Sequence, residues 1–338
     1  MELVHTISSN FERGKENFIQ RMKYLFENGV TSFRVNMKSF SDDEFIRINR
    51  MLTELRGFSN DISFRFVIYL DLPYPNGKYR GRCGNNIRIE KNNILLLAKE
   101  SDKCNLPNNK YITVFLDDDF FSNENLKTKN IIYGDGLGVL SIEKICDCGV
   151  YVKARNEFIL FDKKSFNANI IKRSVINSNL IEKLLKLCTN HSIDYIMLSF
   201  CDKAIDIKAF KEKLSLLNVE FLAKIETAIS TEALNEIAEE SEGLVVARGD
   251  LGLNIPHNNF LFYQSLISQV AKEKNKKLYF ATGILDSLLS LPFPSRGDIT
   301  DFANIICNKP NGLIFNSKIG NKKRIEVLNE YIRFQNLF

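Results

Sequence analysis

Val219-Glu-Phe-Leu-Ala-Lys-Ile-Glu226 and Leu244-Val-Val-Ala-Arg-Gly-Asp-Leu-Gly252 are two apolar runs that each end in charge. About 24 residues separate Glu226 from Asp250, with a helical pattern from Thr231 to Glu240 between them, which is the length of one βαβ step. Two adjacent parallel strands bring Glu226 and Asp250 to one end of a sheet, with Lys224 beside them. Two carboxylates and a lysine converging there suit a divalent cation and an anionic substrate. The plainer alternative is that the charges mark strand ends facing water.

The same rhythm extends outward from this pair. Upstream, strands are expected at Leu3–Ser8, Thr31–Asn36 and Phe64–Leu70, the last closing on Asp71. Helices are expected between them at Phe11–Asn28, stopped by Gly29, and from Ser41, which opens a capping box with Glu44, to Leu55 and a stop near Gly57. From residue 72 to 173 the alternation breaks into short β-type runs separated by turn residues such as Asn92-Asn93 and Gly134-Asp135-Gly136. That pattern predicts a small all-β domain inserted after the third strand, a lid. Downstream, strands at Tyr195–Phe200, Glu220–Glu226, Gly243–Asp250, Leu278–Thr282 and Leu313–Asn316 alternate with helices, the last running to about Phe334.

Leaving out the insertion, the count is eight strands in β-then-α order. A closed (β/α)8 TIM barrel fits that count better than an open doubly wound sheet, and no glycine-rich dinucleotide fingerprint follows the first strand. The expected domains are a barrel of residues 1–71 and 174–338 and a lid of residues 72–173. Barrel chemistry sits where strands end, and the ends here read Thr6, Arg34, Asn36, Asp71, Ser199, Lys224, Glu226, Arg248, Asp250 and Thr282. Polar and charged groups crowd one rim of otherwise apolar elements, which marks it as the active site.

Composition narrows the class. The 338 residues carry a net charge of +5 with basic and acidic side chains interspersed, so no nucleic-acid stripe is expected. No run is long enough to span a membrane. Seven cysteines form no regular framework, and no apolar leader opens the chain, so reduced thiols and a cytoplasmic location are expected. Cys146-Asp-Cys148 reads as a hairpin tip, since no second pair of matching spacing completes a metal site.

Ala223-Lys-Ile-Glu226 with Val246-Ala-Arg-Gly-Asp-Leu-Gly252 and Ile255-Pro256 resembles the signature stretch of pyruvate kinases. The resemblance extends to Arg34-x-Asn36, Leu70-Asp71, Asp135-Gly136-Leu137, Ser199-Phe200, Ala281-Thr282, Pro294-Ser-Arg296 and Ala303-Asn304. It implies a metal-dependent phosphotransferase that moves a phosphoryl group between phosphoenolpyruvate and a nucleotide, ADP or ATP, through enolpyruvate held on the metal. By that resemblance Glu226 and Asp250 hold Mg²⁺ or Mn²⁺, and the backbone at Gly249 and Asp250 receives the substrate carboxylate, with Ser199 at the substrate. Lys224 meets charge developing on the enolate oxygen and phosphoryl group, Arg34 grips phosphoryl oxygens, and Thr282 lies by the enolate carbon. The family's C-terminal regulatory domain has no counterpart, so a monomer or homodimer is expected.

Departures fall on the cation and nucleotide side. The family's Asn-Phe-Ser-His reads Asn36-Met37-Lys38-Ser39, and Leu72 replaces the threonine after Asp71. The monovalent-cation positions are thus Asn36, Lys38 and Asp71, and a Lys38–Asp71 pair replacing K⁺ would make K⁺ dispensable. Lys78 and Arg80 stand where the family carries nucleotide-side charge, together with Asn36, and Lys164 matches the lid lysine. A metal-dependent lyase, decarboxylase or aldolase of a 2-oxo acid, or a non-catalytic binding protein, remain as alternatives on the same fold.

Overall fold

The computed structural model describes residues 1–7, 15–73, 79–102, 111–121, 126, 130–134, 136–162, 164–167, 178–316 and 329. Eight strands close a parallel barrel: β1 Glu2–Ile7, β2 Ser32–Asn36, β3 Val67–Leu72, β4 Tyr195–Leu198, β5 Glu220–Ile225, β6 Gly243–Ala247, β7 Lys277–Ala281 and β8 Gly312–Phe315. Each strand pairs with its neighbours in sequence, and β8 closes on β1 through Glu2 opposite Gly312. The helices between them are α1 Lys15–Glu27, α2 Asp42–Asp61, α3 Ser178–His191, α4 Ala204–Lys213, α5 Thr231–Glu240, α6 Arg248–Asn254, α7 Phe260–Glu273 and α8 Arg296–Cys307.

Strand alternation sorts the side chains. Leu70, Ile196, Ala223, Val246 and Phe280 point outward into the large core shared with helix residues such as Leu52, Leu184 and Ile267. Val4, Tyr69, Met197, Leu222, Val245, Tyr279 and Ile314 form a separate cluster that fills the barrel interior. Below that layer the N-terminal mouth is closed by polar groups. Tyr69 Oη and Ser32 Oγ both donate to the Glu2 carboxylate, and Tyr195 stacks on Tyr69 at 4.3 Å between ring centres. Lys277 Nζ reaches Tyr195 Oη at 2.8 Å and Glu220 at 2.5 Å. Burial, with the neighbouring Tyr279 and Glu2, drives the Tyr69 hydroxyl far above its ordinary pKa, so it stays protonated and donates to Glu2.

The chain divides into two compact units, Met1–Pro75 with Ser174–Phe338, and Asn76–Arg173. The second holds a seven-stranded sheet in the order Tyr79–Arg80, Ser165–Asn167, Asn130–Tyr133, Gly138–Cys146, Gly149–Ala154, Ile94–Lys99 and Ile112–Leu116. A two-stranded ribbon of Ile87–Ile89 and Phe158–Leu160 accompanies it, and both share a core that includes Leu95, Val114, Tyr133, Val152 and Phe166. The all-β insertion after the third strand is therefore present. Among the described residues no helix is long and apolar enough to cross a membrane.

Several local expectations are corrected. Helix α2 runs through Gly57 to Asp61 because Phe58 and Ser59 are buried, and Gly57 lies where no neighbour crowds it. The capping box forms by half. Ser41 Oγ accepts the Glu44 N–H, but the Glu44 carboxylate accepts from Lys38 N and from Arg47 instead of turning back to Ser41. Helix α3 runs Ser178–His191, and His191 Nε2 meets Asn49 Oδ1 at 2.8 Å. Strand β6 ends at Ala247, and Arg248, Gly249 and Asp250 form the first turn of α6 rather than a strand end. The two strands Tyr79–Arg80 and Ser165–Asn167 are too short to show a period in the sequence. Asp135, Lys78 and, apart from Asn329, the closing helix expected to Phe334 lie outside the described residues.

The barrel interior leaves no room at Gly243, where a Cβ would stand 2.8 Å from both Leu222 Cδ2 and the Lys277 carbonyl oxygen. Gly243→Ala should cost about 1–3 kcal/mol by overpacking. The check is a melting temperature several degrees lower with the far-ultraviolet spectrum unchanged; an unaltered melting temperature would contradict this packing.

Candidate active site

The inward parity that places Val4, Tyr69, Met197 and Leu222 inside the barrel continues two residues further along each strand. It then presents Thr6, Asp71, Ser199 and Lys224, and the corresponding position on β2 is Arg34. The layer above the apolar plug is thus polar on five neighbouring strands, at the C-terminal end where barrel chemistry resides.

Asp71 is the hub of this layer. Arg34 donates through Nε (2.7 Å) and Nη2 (2.5 Å) to Asp71 Oδ2, while Lys224 Nζ donates to Asp71 Oδ1 at 3.1 Å. Arg34 Nη1 also donates to Thr6 Oγ1 at 2.9 Å. Ser199 Oγ accepts from Lys224 Nζ at 2.8 Å and donates to the Leu72 carbonyl at 2.7 Å. The same ammonium lies 3.3 Å from Glu226 Oε1, and Glu226 Oε2 accepts the Phe200 N–H at 2.6 Å. That last bond depends on backbone geometry: Phe200 adopts a φ of 53°, a left-handed turn after β4 that carries its N–H toward β5. Asn254 of α6 then fastens the Glu226 carbonyl at 2.9 Å.

The electrostatics follow from burial and charge. Asp71 and Glu226 are 1% and 2% exposed, so both ionise at a cost in solvation. Burial pushes the Asp71 carboxyl up, but Lys224 and Arg34 outweigh it and hold it below its ordinary range. Burial likewise opposes the Lys224 ammonium, and Asp71 with Glu226 overcomes it, so the lysine stays charged. Glu226 is the exception. Burial pushes it up to about 7, Lys224 pulls it down, and the charges of Asp250 and Asp71 push it up again. Asp250 acts electrostatically on both Lys224 and Glu226, which places its carboxylate on the same rim.

Around Asp250 the turn is set by close approach. A Cβ at Gly249 would lie 3.1 Å from Thr282 Cγ2, so the backbone of α6 rests directly on Thr282. Thr282 (φ 74°) and Gly283 (φ 69°) are both left-handed, an unusual state for a β-branched residue, and they reverse the chain after β7. Arg248 turns away from the array: its Nη2 donates to Asp301 of α8 at 2.6 Å, and its guanidinium lies over the Phe260 ring. It fastens α6 to α8. Two carboxylates, Glu226 and Asp250, remain as the residues that could hold a hard cation. Among the described residues no group of three or more His, Cys, Asp or Glu side chains forms a protein-only cage.

The nucleotide-side candidates stand apart. Asn36 is exposed at the end of β2, in register with Asp71. Arg80 and Lys164 belong to the inserted unit, where Arg80 pairs with Ser165 and the Gly81 N–H bonds the Lys164 carbonyl at 3.0 Å, so the two lie side by side. The expected Lys38–Asp71 pair gives way to a different arrangement. Both Asp71 oxygens are engaged by Arg34 and Lys224, while Lys38 is exposed, with its backbone N–H on Glu44 Oε1. The Lys38 ammonium therefore does not stand in for K⁺ by pairing with Asp71. Residue types at strand ends flag Arg34, Thr6, Lys224, Glu226 and Arg248 in the sequence, but nothing there flags the Phe200 N–H and Asn254 as the supports of Glu226, or Asp301 as that of Arg248.

Removing the hub has a calculable consequence. Asp71→Asn leaves the Arg34 and Lys224 cations buried with a single shared carboxylate fewer, and breaking a buried pair in this way costs about 3–5 kcal/mol. Thermal or urea unfolding should show a loss of that size; a variant as stable as the parent would mean the network contributes nothing.

A family model described as "Pyruvate kinase, barrel domain" matches residues 2–327. The pyruvate kinase of Thermotoga maritima is 31% identical over 195 residues, covering 57% of this chain and 42% of its own. That of Methanocaldococcus jannaschii is 36% identical over 138 residues, 40% of this chain and 31% of its own. That of Lactobacillus delbrueckii subsp. bulgaricus is 26% identical over 324 residues, 90% of this chain and 51% of its own. The chain therefore spans about half the length, or less, of these relatives. With a matching barrel, a β insertion after the third strand and the Lys224–Glu226 and Arg248–Asp250 motifs in place, the chain belongs to the pyruvate kinase family.

Proposed function

We propose that this chain transfers a phosphoryl group between phosphoenolpyruvate and a nucleotide, ADP or ATP, with Mg²⁺ or Mn²⁺ held by Glu226 and Asp250. The observation that carries the reading is the buried Arg34–Asp71–Lys224–Glu226 array on the barrel's C-terminal rim. It fixes two cations where a substrate's negative charge would change hands, and phosphoryl transfer gains chiefly from such positioning and electrostatics.

The residues fit the metal. Glu226 is raised toward neutrality partly because Asp250 repels it, and a divalent cation shared by the two carboxylates removes that repulsion. Two protein carboxylates also leave most positions of an octahedral ion to substrate oxygens and water, the usual arrangement for Mg²⁺. When bound, the ion supplies Lewis-acid polarisation of substrate oxygens. Lys224, aimed by Asp71, Ser199 and Glu226, offers its ammonium to the oxygen that gains or loses charge. Arg34 keeps one N–H free of the Asp71 and Thr6 bonds on each of its two terminal nitrogens, enough to hold phosphoryl oxygens. The first-turn backbone at Gly249 and Asp250 would receive the carboxylate, and Thr282, which packs against Gly249, would lie by the enolate carbon. Arg80 and Lys164, side by side in the inserted unit, would supply positive charge for the nucleotide phosphates. The family relationship supports the same assignment.

A coupled assay with phosphoenolpyruvate, ADP and Mg²⁺ or Mn²⁺ tests the reading. Pyruvate release that requires both ADP and the metal is expected, and Glu226→Gln and Asp250→Asn should each lower turnover by more than about a hundredfold. Pyruvate formed from oxaloacetate with no nucleotide would move the assignment to a 2-oxo-acid lyase. Undiminished turnover in both variants would refute the metal site.

Mn²⁺ affinity should also depend on pH with a defined sign. Glu226 must give up its proton to bind a cation, and burial holds that proton up to about 7. Below that value the apparent Kd for Mn²⁺ should rise about tenfold per pH unit, flattening above it. Equilibrium binding followed by electron paramagnetic resonance measures this. A Kd flat between pH 5.5 and 7 would show that Glu226 takes no part.

A further inference from the structure

The hairpin tip Cys146-Asp147-Cys148 carries chemistry that the barrel rim does not use. Strands Gly138–Cys146 and Gly149–Ala154 are joined by only Asp147 and Cys148, with Gly149 paired opposite Cys146. The adjoining strand Ile94–Lys99 clamps this tip. Lys99 Nζ donates to the Asp147 carbonyl at 2.6 Å, and the Lys99 N–H donates to the Cys148 carbonyl at 3.0 Å. A Cβ at Gly149 would lie 2.0 Å from the Leu97 carbonyl oxygen, so only glycine lets the strands meet this closely.

Held in this way, Cys146 Sγ stands 3.3 Å from Cys148 Sγ and 3.3 Å from the Gly149 carbonyl oxygen. With the Cys146 S–H directed at Gly149, the Cys148 S–H is the donor between the two sulfurs. No other pair of described cysteines makes a sulfur–sulfur contact. The two thiols are half-buried and open to solvent, whereas Cys188 and Cys201 are sealed in the barrel's outer core.

We propose that Cys146 and Cys148 form a vicinal-dithiol modification site that a small organic disulfide closes to an intramolecular disulfide. One protein thiolate attacks the reagent's S–S bond, forms a mixed disulfide and expels one reagent thiolate. The second protein thiolate then attacks the protein sulfur of the mixed disulfide and expels the other half of the reagent. The two protein thiols lose two electrons and two protons, and the reagent is reduced to two thiols. The second attack starts from sulfurs already in contact, so it outruns capture of a second reagent molecule. Burial, followed by the Cys146 hydrogen bond and charge, holds the Cys148 thiol above its ordinary value, and closure should accelerate as pH rises.

The 338-residue chain, incubated in native buffer with oxidised glutathione, is treated with iodoacetamide and digested without reduction for mass spectrometry. The peptide spanning both cysteines should escape alkylation, carry no glutathione and be lighter by two hydrogens. Exposed Cys307, which has no sulfur partner among the described residues, should carry glutathione and so report that the reagent acted. In Cys148→Ser, Cys146 should be found as the glutathione mixed disulfide instead. Alkylation of both Cys146 and Cys148, or a separate glutathione on each, in a sample whose Cys307 has reacted would overturn the proposal.

Discussion

One buried carboxylate organises the polar rim at the C-terminal ends of the barrel strands. Asp71 sits inside β3, 1% exposed, and pairs with two cations that arrive from opposite sides, Arg34 on β2 and Lys224 on β5. Each cation alone would face a desolvation cost of several kcal/mol in that position. Sharing one anion lets both remain charged where water is scarce. The third partner, Glu226, is less well compensated, because it also feels Asp250 and Asp71. The array is thus charged and poised, with its surplus of negative charge concentrated on the side of Glu226 and Asp250.

That arrangement depends on barrel geometry. Parallel strands one residue out of step with the apolar plug would turn Lys224, Asp71 and Ser199 into the helical layer, where no counter-charge awaits them. Val4, Tyr69, Met197 and Leu222 fill the centre and make the next inward position available on each strand. The opposite mouth uses the Glu2, Tyr69, Tyr195 and Lys277 network to satisfy polar groups without chemistry, so the two ends of one barrel divide stability from function.

Much of the fold was legible because each βα step wrote its own signal. Apolar runs of strand length alternated with amphipathic helices, and the break after Leu72 announced the insertion. The misread positions share a cause. Gly57 looked like a helix stop, but Phe58 and Ser59 bury themselves and carry α2 onward. Arg248 and Asp250 looked like strand residues because apolar Leu244–Ala247 leads into them, yet the chain turns helical so that Gly249 can rest on Thr282. Propensity operates over a few residues, while tertiary packing decides where an element ends.

The sequence alone determined that this chain builds an eight-stranded barrel, carries a β insertion after the third strand, and sets Lys224 and Glu226 at the end of one strand with Asp250 just past the end of the next. Those properties follow from period and spacing, which are local. Only the tertiary structure decided who pairs with whom. Asp71 chose Arg34 and Lys224 over Lys38, Glu226 found the Phe200 N–H, and Arg248 turned to Asp301. Partner choice is a competition among charges brought together from distant parts of the chain. Distance, burial and backbone handedness settle it, and none of these is a property of neighbouring residues in sequence.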